Sequence, residues 1–379
     1  MSGESVAIIG ASGPGLFGAY LLARQGVAVD VYEQAEELVP APRTLIVTPA
    51  LTEVLGFMPR SAIVHRVAGF DLRSNGTLAR VALEEPDFVV ERSELLRLLA
   101  SRAEQAGARL HFGRQFCGFE KGRQTRVLLR ERETGRVLDV AATAVIGADG
   151  VHSAVARALG RPSLPTVSNL QAQVSLPEGA DPGVSQVWFA PPRTPYFYWC
   201  IPDSPRTAVV GLAIQDAAEA RRALDAFLQE RNLEPIAYQA ARTPLYAPGR
   251  SPRARVGETE VFLVGDAAGQ VKATTVGGTV TGLRGARAAT RAILGSSSDR
   301  ALPRLDRELL LHWLLRRVLN RFREEHYTAL LWSLNERLHR LLRFNNRDQL
   351  TGALWQMLAV QPMLPLLAFH AVASGARRG

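Results

Sequence analysis

Three apolar runs in this chain lead into glycine turns that are matched by an acid at a strand end, and a carboxylate at such a strand end can hold sugar hydroxyls. In the first, Ser5–Ile9 leads into Gly10-Ala-Ser12-Gly13-Pro14-Gly15, and Glu33 closes the run that follows, Val27–Tyr32. The second is Ala144-Val-Ile-Gly147-Ala-Asp149-Gly150. The third is Val261-Phe-Leu-Val-Gly265-Asp266, which continues through Ala-Ala-Gly269-Gln-Val-Lys272 to Gly277-Gly278.

Each acid needs an element to carry it. Around Gly10 the order is strand, glycine turn, helix, strand, which is a βαβ unit. Gly10 makes the tight turn, a small residue at Ser12 lets the backbone approach a pyrophosphate, and Gly15 allows close helix packing. The usual pattern has glycine where Ser12 stands; serine is small enough, and its hydroxyl could contact phosphate. Glu33 at the second strand end suits an adenosine ribose and disfavours a 2′-phosphate, so FAD or NAD fits better than NADP. Gly277 and Gly278 open an apolar-periodic helix, whose free N–H groups and partial positive charge suit a cofactor that gains negative charge on reduction. Asp149-Gly150 and Gly265-Asp266 would converge with the first turn on one ligand at the sheet's carboxyl edge.

Composition narrows the remaining choices. The 379 residues allow two domains or one large discontinuous one, and 47% hydrophobic with 21% charged residues reads as globular and water-soluble. Two cysteines, Cys117 and Cys200, exclude a disulfide scaffold, a four-cysteine zinc site and a cysteine-held cluster, and no metal is expected. They fit a reducing cytoplasm. No basic leader precedes the first strand, and no run approaches the span of a bilayer. The net charge of +9 would permit an anionic partner. Nucleic acid is not expected, because no recognised module accompanies the charge.

Between the acid turns the chain changes character. Val67–Leu83 alternates around Ser74-Asn75-Gly76, a hairpin signal. Ser93 is expected to cap a helix over residues 94–106, with Arg92 just before it free to reach a phosphate or the flavin edge. Residues 164–250 read as an antiparallel sheet with one helix near 217–231. Its strand Tyr196-Phe-Tyr198-Trp199-Cys200-Ile-Pro offers Tyr196, Tyr198, Trp199 and Cys200 as pocket candidates. Residues 301–379 are helical, with an apolar stripe at Leu310, Leu314, Val318 and Phe322, and they carry 12 arginines against 6 acidic residues. That basic tail could touch an anionic membrane peripherally, cover an apolar pocket, or form a docked subdomain with a solvated face.

On Gly10 to Glu33, Gly147-Ala-Asp149-Gly150 and Val264-Gly265-Asp266, the chain resembles FAD-dependent oxidoreductases built like para-hydroxybenzoate hydroxylase. Gly265-Asp-Ala-Ala-Gly269-Gln-Val-Lys272 with Thr274-Thr275 and Gly277-Gly278 is most similar to geranylgeranyl reductases, as is Trp199-Cys-Ile-Pro202. Ala273 stands where that family usually has proline, Phe197 where it has tyrosine, and Ile201 where it has phenylalanine. The resemblance implies Glu33 on the adenosine ribose and Arg92 on the flavin's phosphate side. It implies Asp149 and Gly150 by the pyrophosphate and the path of a nicotinamide donor, Asp266 on the ribityl chain, and Gly277 and Gly278 at the flavin ring.

The expected fold is α/β: a Rossmann-type FAD-binding domain (1–66, 84–163, 251–300), an inserted antiparallel-sheet substrate domain (67–83, 164–250) and a helical C-terminal region (301–379). The expected cofactor site comprises Gly10, Ser12, Gly13, Gly15, Glu33, Arg43, Arg92, Asp149, Gly150, Gly265, Asp266, Gly277 and Gly278. No second glycine-rich βαβ unit names a resident donor domain, so FAD would be reduced by external NAD(P)H or another donor. The leading expectation is a cytoplasmic enzyme, with peripheral membrane contact through residues 301–379 left open, that reduces carbon–carbon double bonds of an apolar, isoprenoid-type substrate by hydride transfer from reduced flavin. The alternatives are a small-molecule monooxygenase and a flavoprotein maturase acting on a polypeptide. Flavin halogenases, which carry a similar aromatic strand, need a lysine in the N-terminal half; the chain has none before Lys121.

Overall fold

A computed structural model describes residues 5–120, 125–296, 300–344, 348, 351–352, 356, 361 and 363–376. Its first sheet has six strands in the order Arg253–Val256, Thr259–Leu263, Ala144–Gly147, Ser5–Ile9, Ala28–Tyr32, Arg109–His111. All neighbours are parallel except the edge strand Arg253–Val256. The central strands are apolar on both faces because both faces are covered. Val6 and Ile8 pack under helices Gly13–Ala23, Arg92–Gln105 and Thr279–Ile293. Ala7, Ile9, Val145 and Leu263 pack instead on Phe116, Val127 and Leu129, which belong to a small sheet of Arg114–Glu120, Arg126–Glu131 and Val137–Ala141.

The second sheet has eight strands: Ala237–Pro244, Thr166–Ser175, Thr207–Ile214, Tyr198–Pro202, Val184–Trp188, Ile63–Ser74, Thr77–Glu91 and Thr44–Val47. Its two edge strands meet. Gln239 Oε1 accepts from the Thr44 N–H at 3.0 Å, and Gln171 Nε2 donates to the Thr44 carbonyl at 3.1 Å. Side-chain amides thus replace a backbone ladder across the seam, and the sheet curls nearly shut. Helix Ala217–Gln229 covers one face, where Tyr198, Cys200, Val210 and Leu212 pack on Leu224 and Phe227. The other face looks onto a cavity.

Several expectations are corrected. The second arm of the hairpin is one strand from Thr77 to Glu91, longer than expected: it continues past Leu83 through a register shift against Val67–Gly69 and ends in the fully buried run Asp87–Val90 before the helix. The helix that follows is capped by Glu91, whose carboxylate accepts from the Ser93 N–H, so Ser93 is inside the helix rather than its cap. Val184–Trp188 pairs in parallel with Ile63–Ser74, against the expected all-antiparallel pattern. Strand Ala237–Pro244, unexpected, completes the seam.

The C-terminal helices are Ala301–Leu319, Glu324–Trp332, Glu336–Phe344 and Met363–Ala376. In the first, the inward stripe is Leu305, Leu309, His312 and Arg316, whereas Leu314 is exposed. Of the expected stripe, Phe322 is buried and Leu310 and Val318 are half-buried, but Leu314 faces solvent, and the polar Glu308, His312 and Arg316 share the buried face. Among the described residues no helix is long and apolar enough to cross a membrane.

Candidate functional site

The three turns leave the parallel sheet side by side. Ile9 is in register with Gly147, and Gly147 with Leu263, so Gly10, Ala148 and Val264 emerge at one level. Gly10 has φ +100°, and a Cβ there would meet the Ala148 carbonyl oxygen at 2.6 Å; a Cβ on Gly15 would lie 2.3 Å from the Gly10 oxygen. Only glycine allows this turn and helix to nest. Ser12 caps the helix, its Oγ accepting from the Gly15 N–H at 3.4 Å. Across the turn, Pro14 fills the space that side chains on Gly265 and Gly282 would need, so helices Gly13–Ala23 and Thr279–Ile293 start against each other.

The acids are used in different ways. Glu33 accepts from the N–H groups of Ala11 at 2.8 Å and Ala35 at 3.0 Å, bracing the first turn. Asp149 is turned to helix Ala154–Ala158, accepting from Ser153 Oγ at 2.6 Å and the Val155 N–H at 3.0 Å. Asp266 alone keeps its carboxylate clear of hydrogen-bond donors among the described residues. It lies deep in the protein yet opens on the cavity. Burial pushes its pKa up, opposed by Arg43 and Arg92.

Arg43 and Arg92 complete this polar corner. Burial first, then Arg92, push the Arg43 pKa down to about 10, and its Nε has no partner. Burial likewise lowers Arg92, with Asp266 and Glu91 opposing. Gly278 begins the next helix without a side-chain cap, leaving its first N–H groups unclaimed by any side chain. Gln270 holds the approach: its Oε1 accepts from the Gly265 N–H at 2.7 Å, in space only Gly285 leaves open. Thr281 Oγ1 donates to its carbonyl at 2.5 Å. Val276, at φ +56°, holds a left-handed conformation that β-branched residues rarely adopt, at a cost of about 1–3 kcal/mol.

These groups face one end of a cavity of about 930 Å³. The same cavity is also lined by Phe70, Leu72, Phe189, Trp199, Leu319 and Leu330. A family model described as FAD binding domain matches residues 4–305. The chain belongs to that FAD-binding family. It is 26% identical over 363 residues to digeranylgeranylglycerophospholipid reductase of Methanocaldococcus jannaschii, covering 88% of this chain and 91% of that protein. To digeranylgeranylglycerophospholipid reductase 2 of Methanothermobacter thermautotrophicus it is 30% identical over 292 residues, covering 72% and 73%. Among solved structures, a geranylgeranyl bacteriochlorophyll reductase-like protein of Thermoplasma acidophilum superposes with a TM-score of 0.74 at 21% identity, over 94% of this chain and 96% of that one. A flavin-dependent brominase gives 0.71 at 15% identity over the whole of both chains, a likeness of fold alone. The protein is thus a FAD-dependent oxidoreductase.

The chain's own geometry fits that cofactor. An unbonded carboxylate, an arginine Nε without a partner and an uncapped helix start all border one cavity, and they match a group with sugar hydroxyls, phosphates and an electron-poor ring. Of the expected site residues, Ser12, Gly13, Arg43, Arg92, Gly150, Gly265, Asp266, Gly277 and Gly278 line the cavity. Gly10, Gly15, Glu33 and Asp149 stand behind that wall and shape it. The pocket candidates need correction. Strand alternation turns Trp199, with Phe197 and Ile201, to the cavity, and Tyr198 and Cys200 to the helix-covered core; Tyr196 is buried beside Val167 and Ala213. Burial pushes the Cys200 thiol up to about 12, which suits a packed side chain.

Trp199 is held from two sides. Its indole Nε1 donates to Gln171 Oε1 at 3.1 Å, and a Cβ on Gly211 would collide with its ring at 2.6 Å. Gln171, Gln239, Gln270, Arg316 and Asp348 all escaped the sequence reading. Asp348 is 1% exposed and meets both the Lys272 ammonium and the Thr48 hydroxyl, while Arg284 donates to its carbonyl at 2.6 Å. Burial raises the Asp348 pKa, but Lys272, Thr48 and Arg284 outweigh it and hold the carboxyl below its usual value. No metal-binding cluster occurs among the described residues.

Proposed function

We propose that this oxidoreductase reduces carbon–carbon double bonds of an apolar, isoprenoid-type substrate. The observation that carries the reading is the continuity of one cavity from the Asp266–Gly278 corner to a wall of Phe70, Leu72, Phe189, Leu319 and Leu330. A long apolar chain can therefore reach the cofactor end within one cavity. The relatives' names, which specify reduction of geranylgeranyl lipids, support it. FAD, when bound, supplies the hydride. The chain's residues do the rest: Asp266 and Arg43 hold polar groups of the cofactor, the uncapped helix start stabilises negative charge at its ring, and Trp199 presents a flat apolar surface to the substrate. The electron donor in this reading is external NAD(P)H or another reductant.

The test is anaerobic. Holoprotein reduced with dithionite and mixed with geranylgeranyl diphosphate should yield product heavier by one or more hydrogen pairs. Unchanged lipid without oxygen, together with incorporation of labelled oxygen in air, would make the protein a monooxygenase instead.

A second part of the reading concerns the surface. Trp332 is 76% exposed and Phe369 is 73% exposed, on two helices whose ends are tied by Gln361 Nε2 donating to the Ser333 carbonyl at 2.6 Å. Exposed Arg337 and Arg340 lie in the same region. Large apolar groups with arginines suit an anionic lipid surface. Flotation with phosphatidylglycerol vesicles should be lost in the Trp332→Ser, Phe369→Ser double variant with FAD retained; no flotation of the intact protein removes this part.

A further inference from the structure

Hydrogenating a double bond takes a proton as well as a hydride, so the cavity wall has a second task, the delivery of a proton. The arginines on that wall keep their protons. Lys272 meets the Asp348 carboxylate, Asp266 belongs to the cofactor corner with Arg43 and Arg92, and burial pushes the Tyr327 hydroxyl up. The remaining ionisable side chain lining the cavity, among the described residues, is His312. Histidine is also the side chain whose ordinary pKa lies nearest neutrality.

His312 is 3% exposed and sits on helix Ala301–Leu319 between two partners. Its Nδ1 is 2.6 Å from Thr274 Oγ1, and its Nε2 lies 3.6 Å from Glu308 Oε1, one turn back on the same helix. Both partners are fixed. The Glu308 carboxylate accepts from the Thr351 N–H at 3.0 Å and meets the Thr351 hydroxyl. The Thr274 carbonyl accepts from Arg316 Nη2 at 3.3 Å. Thr274 itself lies in the tight loop that Lys272 and Gly277 close, the Lys272 N–H donating to the Gly277 carbonyl at 3.1 Å. That loop leads into Gly278 and its uncapped helix, and Thr274 lines the cavity as His312 does.

The carboxylate beside Nε2 favours the tautomer with its hydrogen there, which leaves Nδ1 to accept from the Thr274 hydroxyl. A second proton on the ring reverses that bond. Nδ1–H then donates to Oγ1, and the hydroxyl hydrogen is free to point elsewhere. The charged groups around the ring are Glu308 and Arg316 on its own helix, Lys272 on the loop, and Asp348. Burial pushes the His312 pKa down and Lys272 adds to this, while Glu308 and Asp348 oppose it.

We propose that Thr274 and His312 form a proton relay: the Thr274 hydroxyl protonates one carbon of the double bond, His312 replaces that proton, and Glu308 positions the imidazole. This rests on the reductase reading. The alkene's π pair forms a C–H bond with the Thr274 proton, and the hydride brings the electron pair of the second C–H bond. Thr274 Oγ1 takes the Nδ1 proton, so the ring ends neutral with its hydrogen on Nε2. The two electrons come from the external donor of the reductase reading, and water returns the ring's proton between turnovers.

Holoprotein carrying nitrogen-labelled histidine is followed by NMR, oxidised and after dithionite reduction, from mildly acidic to mildly alkaline pH, with His312→Gln identifying the signal. The neutral ring should carry its hydrogen on Nε2. Its pKa should be higher in the reduced protein, where negative charge at the cofactor ring favours the cation, and Glu308→Gln should lower it. In anaerobic single turnovers with geranylgeranyl diphosphate, the rate should fall as pH rises through the reduced-state value. His312→Gln and Thr274→Val should slow the turnover roughly a hundredfold or more, and Thr274→Ser should stay within about tenfold of wild type. Affinity for FAD and lipid should move about twofold at most. A ring that does not titrate, a neutral ring with its hydrogen on Nδ1, or variants that lose FAD and lipid affinity as much as rate overturn the relay. Hydrogenated product formed at an unchanged rate in His312→Gln keeps the reductase reading and overturns the relay. Wild type that makes no hydrogenated product, while its ring still titrates and answers to reduction, keeps the relay and removes the reductase reading.

Discussion

The two ends of the cavity are held together by different forces. At the cofactor end the contacts are between backbones: Gly10, Gly15, Gly265 and Gly282 let turns and helix starts touch where a single methyl group would collide. At the helical end, charged side chains cross long sequence distances, as Lys272 and Thr48 do to Asp348, or Arg316 to Pro195. One end is rigid by sterics and the other by electrostatics.

The contrast can be broken most strongly at Lys272. Lys272→Met would strand a carboxylate that is 1% exposed, and breaking such a pair by removing one partner costs about 3–5 kcal/mol. Lys272→Met with Asp348→Asn should recover much of that loss in a thermal melt; equal loss in single and double variants would show that the ion pair does not anchor this wall. The pH dependence has a definite sign. Asp348 is held below its usual value, so its contribution is present above the ordinary carboxylate pKa of 3.8 and is lost as pH falls below that, through the folded-state value.

At the backbone-built end the expected penalties are smaller and steric. Gly15→Ala puts a Cβ against the Gly10 carbonyl, for about 1–3 kcal/mol and loss of tight FAD binding. Gly211→Ala, whose Cβ would meet Trp199 and the Leu170 carbonyl, should cost a similar ~1–3 kcal/mol but leave FAD in place. Flavin content after gel filtration separates the two. If Gly211→Ala sheds FAD as readily as Gly15→Ala, the halves are one steric unit and the contrast fails.

The same division explains what could be read from the sequence. The cofactor end was legible because its logic is local: Gly10 to Gly15 and Gly265-Asp266 are short motifs whose geometry follows from residue size. The helical end was not, because nothing near Asp348 in sequence points to Lys272, and Arg316 lies in a run of leucines and arginines that reads as a surface stripe. The period of Leu310, Leu314 and Val318 suggested an apolar inner face, whereas burial chose His312 and Arg316. Alternation along Tyr198–Pro202 was visible, but which face met the cavity depended on helix Ala217–Gln229 covering the other. Gln171 and Gln239 drew no attention because a seam between edge strands has no sequence signature.

Asp266 gives the smallest expected effect and the sharpest sign. Burial raises its pKa even with Arg43 and Arg92 nearby, so near neutral pH its charge disfavours the folded apoprotein, and that disadvantage fades as pH falls toward the raised value. A residue kept against stability belongs to a site that uses its charge. Asp266→Asn should therefore raise the melting temperature of the apoprotein while weakening FAD roughly tenfold or more through loss of a charged hydrogen-bond acceptor. Melting curves of apo and FAD-loaded protein, compared between wild type and variant, would show the two shifts with opposite signs. A variant that loses apoprotein stability would mean that Asp266 serves the fold through Arg43 and Arg92, and the cofactor end would then share the electrostatic construction of the other.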